Sequence, residues 1–215
     1  MSKPRATPLP AELARSTLRT LRPKDVSHVY AHPRPELSRL ADRGVLHRVA
    51  HGYFVVVPQD QVGRSWRPEL EAAAAGIATS VYGADRVALM GVSAARVFGA
   101  IPRALAMAVV AVPNQHRPIE FVDRRATVLF TKRNTNLIDV ERVETSLGPA
   151  LVTTPEQTLL DLARWPLLGN AEIDIPSAIG NLFHRSDSGR LEQLAHEQRR
   201  MATLQRAKAW AGVTN

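Results

Sequence analysis

The sequence predicts a mixed α/β protein with an N-terminal winged helix-turn-helix and a C-terminal α/β domain that carries terminal helices. Three short amphipathic segments precede two β-rich runs near the N-terminus. A polar stretch bordered by prolines follows them at 58–68, and short apolar runs then alternate with helical patterns. We therefore divide the 215 residues into a winged helix-turn-helix domain at 1–62 and a C-terminal domain at 63–215.

The first domain is expected to contain three short helices. The predicted helices are 11–21, 24–31 and a third from 34 or 35 to 43. The Arg22-Pro23 pair ends the first, because a residue before proline avoids the helical region, and Pro23 suits the first turn of the second. Gly44 lies where a helix commonly ends in left-handed backbone.

Two β-rich runs follow the third helix. Residues 45–49 and 53–57 flank a turn that contains Gly52, which predicts a β-hairpin. In a winged helix-turn-helix the third helix enters the major groove and the hairpin wing contacts the DNA backbone or minor groove. Arg39 and Arg43 share the outward face of that helix, and an arginine can bind guanine in a bidentate way. The candidate DNA-binding residues are Lys24, Arg34, Ser38, Arg39, Arg43, His47 and Arg48.

The charge of the chain agrees with an acidic partner such as nucleic acid. The sequence has 28 basic and 20 acidic residues, a net charge of +8. Its 24 arginines against four lysines are also typical of an actinobacterial-like composition. The excess is regional, because residues 1–62 hold 10 basic and 5 acidic residues whereas residues 63–215 hold 18 and 15. A regional excess favours DNA binding by the first domain, although a protein-interaction winged module would have the same element order.

Composition excludes several classes of protein. The chain has no cysteine, which rules out a disulfide scaffold, cysteine–zinc sites and a cysteine nucleophile. No signal peptide is recognised at the N-terminus, and the longest apolar run, 104–113, is far below the about 18 residues of a membrane span. We expect a cytoplasmic protein. The four histidines of the first domain are expected to be structural or to face DNA rather than to bind a metal.

The second domain is predicted to alternate strands and helices. The expected strands are 86–90, 105–112, 119–122, 126–131, 140–144 and 150–152. The expected helices are 65–82, 91–99, 154–165, 176–183 and 188–211. Ser65 and Ser93 are the expected caps of the first two, and Thr154 with Gln157 forms a capping box for the third.

No catalytic site or cofactor site is expected. Thr154, Glu156, Thr158 and Asp161 are close in sequence, but helix capping and the helix dipole explain polar residues at these positions. Ser93 lacks the nucleophile-elbow pattern, and the phosphate-binding glycine motifs are absent. A nucleotidyltransferase signature of Gly-Ser followed by paired aspartates is also missing.

Three motifs resemble a known family. They are LSRLADRGVLHRVAHGYFV at 37–55, LMGVSAARVFG at 89–99 and VTTPEQTLLDLA at 152–163. They are similar to motifs of the AbiEi family, the bacterial antitoxins of type IV toxin–antitoxin systems, and the similarity extends over about residues 11–165. The resemblance implies a non-enzymatic antitoxin that binds its own promoter as an autorepressor and neutralises a cognate nucleotidyltransferase toxin through its C-terminal part.

Two other functions remain open at this point. One is a stand-alone winged-helix transcription regulator with a C-terminal domain that senses a ligand or partner. The other is an enzyme with a DNA-targeting module. A nucleotidyltransferase gene beside this one would favour the antitoxin, whereas a carboxylate cluster that lines a pocket would favour the enzyme.

Overall fold

The described part of the chain begins with a small sheet and short helices. A computed structural model describes residues 10–213; residues 1–9, the start of the predicted first domain, and residues 214–215 lie outside this range. The first three strands form an antiparallel sheet in the order β1-β3-β2. The elements of this N-terminal unit are α1 Ala11–Ala14, β1 Thr20–Leu21, α2 Pro33–Asp42, β2 Leu46–Ala50 and β3 Tyr53–Val56, with 3-10 helices at Thr17–Arg19 and Pro23–Val26.

The first two helices are shorter than the sequence predicts. The prediction of one helix over 11–21 is wrong, because Leu18 and Arg19 have positive φ angles of 49° and 50°. The chain then enters β1, which pairs with β3. The predicted helix 24–31 is reduced to a 3-10 helix and a following turn. The third helix and the hairpin are confirmed by α2 and by the pairing of β2 with β3.

The N-terminal sheet is buried on both faces. One face packs on the helices of its own unit, and the core there consists of Leu13, Leu21, Val26, Leu37, Leu40, Leu46, Phe54 and Val56. The other face contributes Val49, Ala50 and Val55, together with Leu18 of the 3-10 helix before β1, to a core that continues into the rest of the molecule. The N-terminal unit therefore shares a hydrophobic core with the segment that follows it.

The remaining chain forms a mixed six-stranded sheet in the order β6-β7-β5-β4-β9-β8. The strands are β4 Ala88–Leu89, β5 Met107–Val112, β6 Ile119–Glu120, β7 Thr127–Lys132, β8 Val140–Thr145 and β9 Gly148–Thr153. The helices are α3 Leu70–Tyr82, α4 Val92–Val97, α5 Pro155–Arg164, α6 Ile175–Phe183, α7 Ser188–Glu197 and α8 Met201–Trp210. The mixed α/β class predicted from the sequence is confirmed.

Helices cover both faces of this sheet. Alternate residues of β5 point to opposite cores: Ala108 and Val110 pack with α3 and the N-terminal unit, whereas Val109 and Ala111 pack with α5 to α8. All four are fully buried, as expected of a central strand with a continuous apolar run. Within residues 10–213, no helix has the length and apolar character that crossing a membrane requires.

Several details of the predicted helices are wrong. Helix α3 begins at Leu70 rather than near Ser65, so Ser65 is not the N-cap residue of this helix. Ser93 lies inside α4, and its buried hydroxyl accepts a hydrogen bond from the backbone N–H of Val109 at 2.7 Å. The single helix predicted over 188–211 is broken into α7 and α8 at Arg199, whose φ is 55°.

The predicted cap of α5 is confirmed in part. The hydroxyl of Thr154 accepts a hydrogen bond from the backbone N–H of Gln157. The side chain of Gln157 does not reach back to complete a capping box, because its Oε1 accepts bonds from the N–H of Asp139 and from Gln198. Gln157 is fully buried and ties α5 to the end of α7.

Candidate nucleic-acid interface

Helix α2 has one apolar face and one basic face. Leu37 and Leu40 are buried in the N-terminal core, which fixes the rotation of the helix about its axis. The arginine side chains Arg34, Arg39 and Arg43 are consequently exposed. The orientation is the one that a helix needs if it is to dock through its apolar stripe and present basic groups to a ligand.

The exposed arginines of α2 lie along its length. Arg39 pairs with Glu36 one turn earlier, and half of its side chain remains exposed. Arg43 caps the helix, and its backbone N–H bonds to the carbonyl of Arg39. The pair of Arg39 with Glu36 is on the surface, where such pairs contribute little to stability, so Arg39 can exchange this partner for another acceptor at small cost.

The wing is connected to α2 by a side-chain hydrogen bond. Arg48 Nη2 on β2 donates to Ser38 Oγ at 2.7 Å. The guanidinium carbon of Arg48 also lies 5.2 Å from the centre of the Phe54 ring on β3. These two contacts hold an exposed arginine of the hairpin beside the middle of α2.

Basic groups from the helix and the wing line one cleft. Its volume is about 380 Å³, and its lining residues are Pro23, Arg34, Ser38, Arg48, His51, Gly52 and Phe54. Lys24 and Arg34 border an adjacent shallow depression at the start of α2. The structure thus brings together four of the predicted residues and adds His51, which the predicted set omits. Its place beside the Gly52 turn, at the tip of the hairpin, is the signal that could have identified it.

A salt bridge shapes the segment that carries Lys24. Arg22 donates to both carboxylate oxygens of Asp25, each at 2.9 Å, across the 3-10 helix Pro23–Val26. Asp25 also accepts the backbone N–H of Arg22 at 3.0 Å. This bidentate geometry restrains the short helix, and the Lys24 side chain is exposed on it.

His47 lies apart from the other candidate residues. Adjacent residues of a strand point to opposite faces of the sheet, so His47 faces away from the cleft that contains Arg48. Its Nε2 atom is 2.6 Å from Asp123 Oδ2 in the loop after β6. Its ring also meets Trp66 edge-on, with centres 6.1 Å apart. This histidine therefore bridges the N-terminal unit to the larger sheet.

The loop after β6 braces the wing at three points. Besides the His47 contact, the backbone N–H of Val122 donates to the carbonyl of Val49 at 2.9 Å, and Ala50 forms a bridge with Phe121. Burial raises the pKa of Asp123, but hydrogen bonds from Arg124 and His47 outweigh burial, so that this pKa lies below its usual range. Asp123 is thus an ionised carboxylate at the junction.

The polar residues near α5 make structural contacts. Buried Glu156 accepts the backbone N–H of Asp187 at 2.7 Å, and Thr158 bonds to Thr153. Asp161 accepts hydrogen bonds from Arg133 and Arg200. No group of three or more acidic or histidine side chains suited to a metal occurs in the described part of the chain.

Comparisons with known proteins identify a family and a similar fold. A family model described as the AbiEi antitoxin C-terminal domain matches residues 86–210, which is more than half of the chain. The crystal structure of the RV2827C protein from Mycobacterium tuberculosis has a similar fold, with a TM-score of 0.57 at 15% sequence identity; the alignment covers 95% of this chain and 80% of that one. A search of curated proteins gave no match.

Proposed function

Because the chain belongs to the AbiEi antitoxin family, we propose that it is the antitoxin of a type IV toxin–antitoxin system and that it acts by binding rather than by catalysis. In this proposal residues 1–62 bind the promoter of its own operon and repress it, and residues 63–215 neutralise a cognate nucleotidyltransferase toxin. The family match to residues 86–210 supports the antitoxin role. The assignment of DNA binding to the first 62 residues is supported by their chemistry.

The N-terminal unit, in our proposal, is a winged helix-turn-helix with α2 as the recognition helix. A helix, a strand, a helical turn and α2 precede the β2–β3 hairpin, and the first strand pairs with the last. The observation that carries the proposal is the cleft in which Arg34 and Ser38 of α2 meet Arg48 of the wing. The phosphates of a duplex favour such a concentration of cations.

The proposal gives different roles to the basic residues. Arg39 and Arg43 point outward from α2 and are assigned to base edges in the major groove. Lys24, Arg34 and Arg48 border the helix and the wing and are assigned to phosphates, with Ser38 holding Arg48 in place. His47 contributes through the position of the wing, because its ring is engaged by Asp123.

Binding to DNA is tested with the purified full chain and a labelled duplex from the region upstream of its gene. We expect Arg39→Ala and Arg43→Ala each to weaken specific binding by about 1–3 kcal/mol, or roughly 5- to 150-fold, and to relax sequence preference. Arg142→Ala serves as the control, because this exposed arginine lies on β8 and pairs with Asp85. If both α2 variants bind the duplex with the affinity of the parent, α2 is not the recognition helix.

Toxin neutralisation is tested in cells that express the nucleotidyltransferase that this proposal expects to be encoded beside this gene. The full chain is expected to restore growth when it is co-expressed with that toxin. Failure to restore growth, with the chain present at the level of the toxin or above, would contradict the antitoxin role.

A second candidate function is a regulator that responds to a small anion. A cleft of about 490 Å³ adjoins the loop that braces the wing. Its charged lining residues are four arginines, Arg67, Arg96, Arg124 and Arg125, and two glutamates, Glu69 and Glu71, so that the arginines are in excess although Glu71 pairs with Arg96. An anion bound there would lie near Asp123 and could shift the wing. This function predicts repression that a small anionic metabolite relieves, in a chain that gives no protection against a neighbouring toxin.

A further inference from the structure

Strand β8 is an open edge of the larger sheet. It is the last strand in the order β6-β7-β5-β4-β9-β8 and pairs with β9. The other edge strand, β6, has only two residues, and the loop that follows it contacts β2 of the N-terminal sheet. Among the described elements, only β9 packs extensively along β8. Within residues 10–213, β8 is thus a six-residue strand whose backbone is unpaired on one side.

The pairing with β9 identifies the backbone groups that face the open side. The carbonyl of Asp139, just before β8, accepts the backbone N–H of Thr154 at 3.1 Å, so this residue faces β9. Because backbone groups alternate in direction along a strand, every second residue after it does the same. Pro149, which has no N–H, lies opposite Glu144, as expected where a pair is not hydrogen-bonded. The N–H and carbonyl groups of Arg142 and Glu144 therefore point away from the sheet.

The exposed side chains of β8 carry charges of both signs. Glu141, Arg142 and Glu144 are exposed. The side chain of Arg142 is 55% exposed although it pairs with Asp85, whose side chain is 80% exposed. A pair so open to water is weak, so Arg142 can exchange Asp85 for a carboxylate on an approaching strand.

Charges on an edge strand discourage pairing with most other strands, but β8 is complementary to itself in one antiparallel register. The groups that point outward can pair only with one another, so a symmetric pair is centred on a single residue. A centre at Arg142 or at Glu144 places like charges opposite each other. A centre at Val143 places Arg142 opposite Glu144 in both halves of the pair. Opposite charges at directly facing positions stabilise a pair of strands.

We propose that two copies of the chain associate through their β8 strands, antiparallel and centred on Val143, so that the two larger sheets become continuous. Each Arg142 pairs with Glu144 of the second copy, and their backbone groups exchange both N–H···O bonds. The inference does not depend on the proposed antitoxin role, and β8 contains none of the candidate DNA-binding residues.

The association is expected to be weak. A single strand of six residues covers a small area, and interfaces of small area are transient unless other contacts add to them. The chain should therefore be monomeric at the low concentrations of a DNA-binding measurement and should associate reversibly at high micromolar concentration.

Cysteine cross-linking tests the register, because the native chain has no cysteine. In the proposed pair the two Val143 residues face each other without backbone hydrogen bonds, with Cα atoms about 4.5 Å apart, which a disulfide can bridge. Val143→Cys is expected to form a disulfide-linked dimer with oxidised glutathione. Glu141→Cys is the matched control, because the two copies of this residue would lie about 13 Å apart, too far for a bridge.

Charge substitutions test the same contact by sedimentation velocity from low to high micromolar concentration. Arg142→Glu places a carboxylate opposite Glu144 of the second copy and should raise the dissociation constant about tenfold or more. The double variant Arg142→Glu/Glu144→Arg exchanges the two charges and should restore association. Arg125→Glu, which makes the same change of charge before β7, near the opposite edge of the sheet, should associate like the parent.

Thermal unfolding of each variant at the parental temperature establishes that folding is intact. A parent that remains monomeric at every concentration would overturn the proposal, as would Val143→Cys that cross-links no faster than Glu141→Cys. Association that Arg142→Glu leaves unchanged would assign the contact between copies to another surface. Failure of the double variant to restore association would exclude the register centred on Val143.

Discussion

At the scale of single residues, the two faces of β2 make different contacts. Arg48 faces α2 and the cleft, where it bonds to Ser38. His47, the preceding residue, faces the loop after β6 and meets Asp123. The period of two in a strand predicts that these neighbours diverge. The sequence could not indicate which of them faces the larger sheet, because Asp123 is 76 residues away.

The proposed phosphate contacts are tested by the salt dependence of DNA binding. We expect Lys24→Ala and Arg48→Ala each to weaken binding to all duplexes alike and to reduce the slope of log affinity against log salt by about one. Arg142→Ala should leave that slope unchanged, because its guanidinium lies on β8 beside Asp85. A parental slope in either of the first two variants would remove that residue from the interface.

The junction carboxylate is tested by stability. Asp123→Asn is expected to lower the free energy of unfolding at pH 7 by about 1–2 kcal/mol, because it weakens the hydrogen bonds that join this carboxylate to the partly buried side chains of Arg124 and His47. Asp85→Asn breaks a solvent-exposed pair with Arg142 and should cost less than about 0.5 kcal/mol. Urea unfolding measures both, with the change expected in the midpoint and not in the slope.

The effect of Asp123→Asn should depend on pH. The folded-state pKa of Asp123 lies below its usual value, so its contribution to stability is complete above the pKa of the unfolded chain, about 3.9, and is lost as pH falls through the folded pKa. The difference between parent and variant should therefore shrink in acid below pH 4. A difference that grows in acid would contradict the assigned ionisation state.

At the scale of elements, the close approach of α3 to β1 couples the N-terminal unit to the larger sheet. A Cβ atom built on Gly76 of α3 would overlap Thr20 Oγ1, and it would lie 3.1 Å from Thr20 Cβ. Thr20 Oγ1 donates to the carbonyl of Leu18 at 2.9 Å, which fixes it in this position. A glycine in the middle of a buried helix is thus explained by the strand that crosses it.

This contact is tested by a double-mutant cycle. Gly76→Ala is expected to destabilise the protein by about 1–3 kcal/mol through overpacking, and Thr20→Ala by about 1 kcal/mol through the lost hydrogen bond. The double variant should be more stable than the sum of the two losses predicts, by roughly 1 kcal/mol or more. Additive losses in thermal or urea unfolding would show that the two residues do not meet.

Element prediction succeeded where local signals were sufficient. The apolar spacing of α2, the Gly52 turn of the hairpin and the Thr154 cap of α5 all correspond to observed structure. The errors occur where tertiary contacts override local propensity. The segment 11–21 leaves the helical conformation because Thr20 and Leu21 pair with β3, and Arg200 starts α8 after a break because its side chain reaches Asp161.

At the scale of the whole molecule, the two units share a core although they are assigned separate functions. Leu18, Val49, Ala50 and Val55 pack with α3 and the larger sheet. A fragment that ended at residue 62 would expose this apolar face to water. The sequence predicts the division at 1–62 and 63–215 from composition and the linker, but it could not predict this packing, which depends on contacts distant in sequence. Functional tests therefore use substitutions in the full chain rather than fragments.

The central claim is that repression and toxin neutralisation depend on different parts of one chain. The most direct measurement uses one strain that carries the native promoter fused to a reporter together with the inducible neighbouring toxin. The parent chain and the Arg39→Ala/Arg43→Ala double variant are compared for reporter output and for growth after toxin induction. The double variant should lose repression and still restore growth to the parental level. If the double variant, at the same protein level as the parent, loses both repression and growth rescue, the two functions do not depend on different parts of the chain. Full repression by the double variant would contradict the assignment of α2 as the recognition helix.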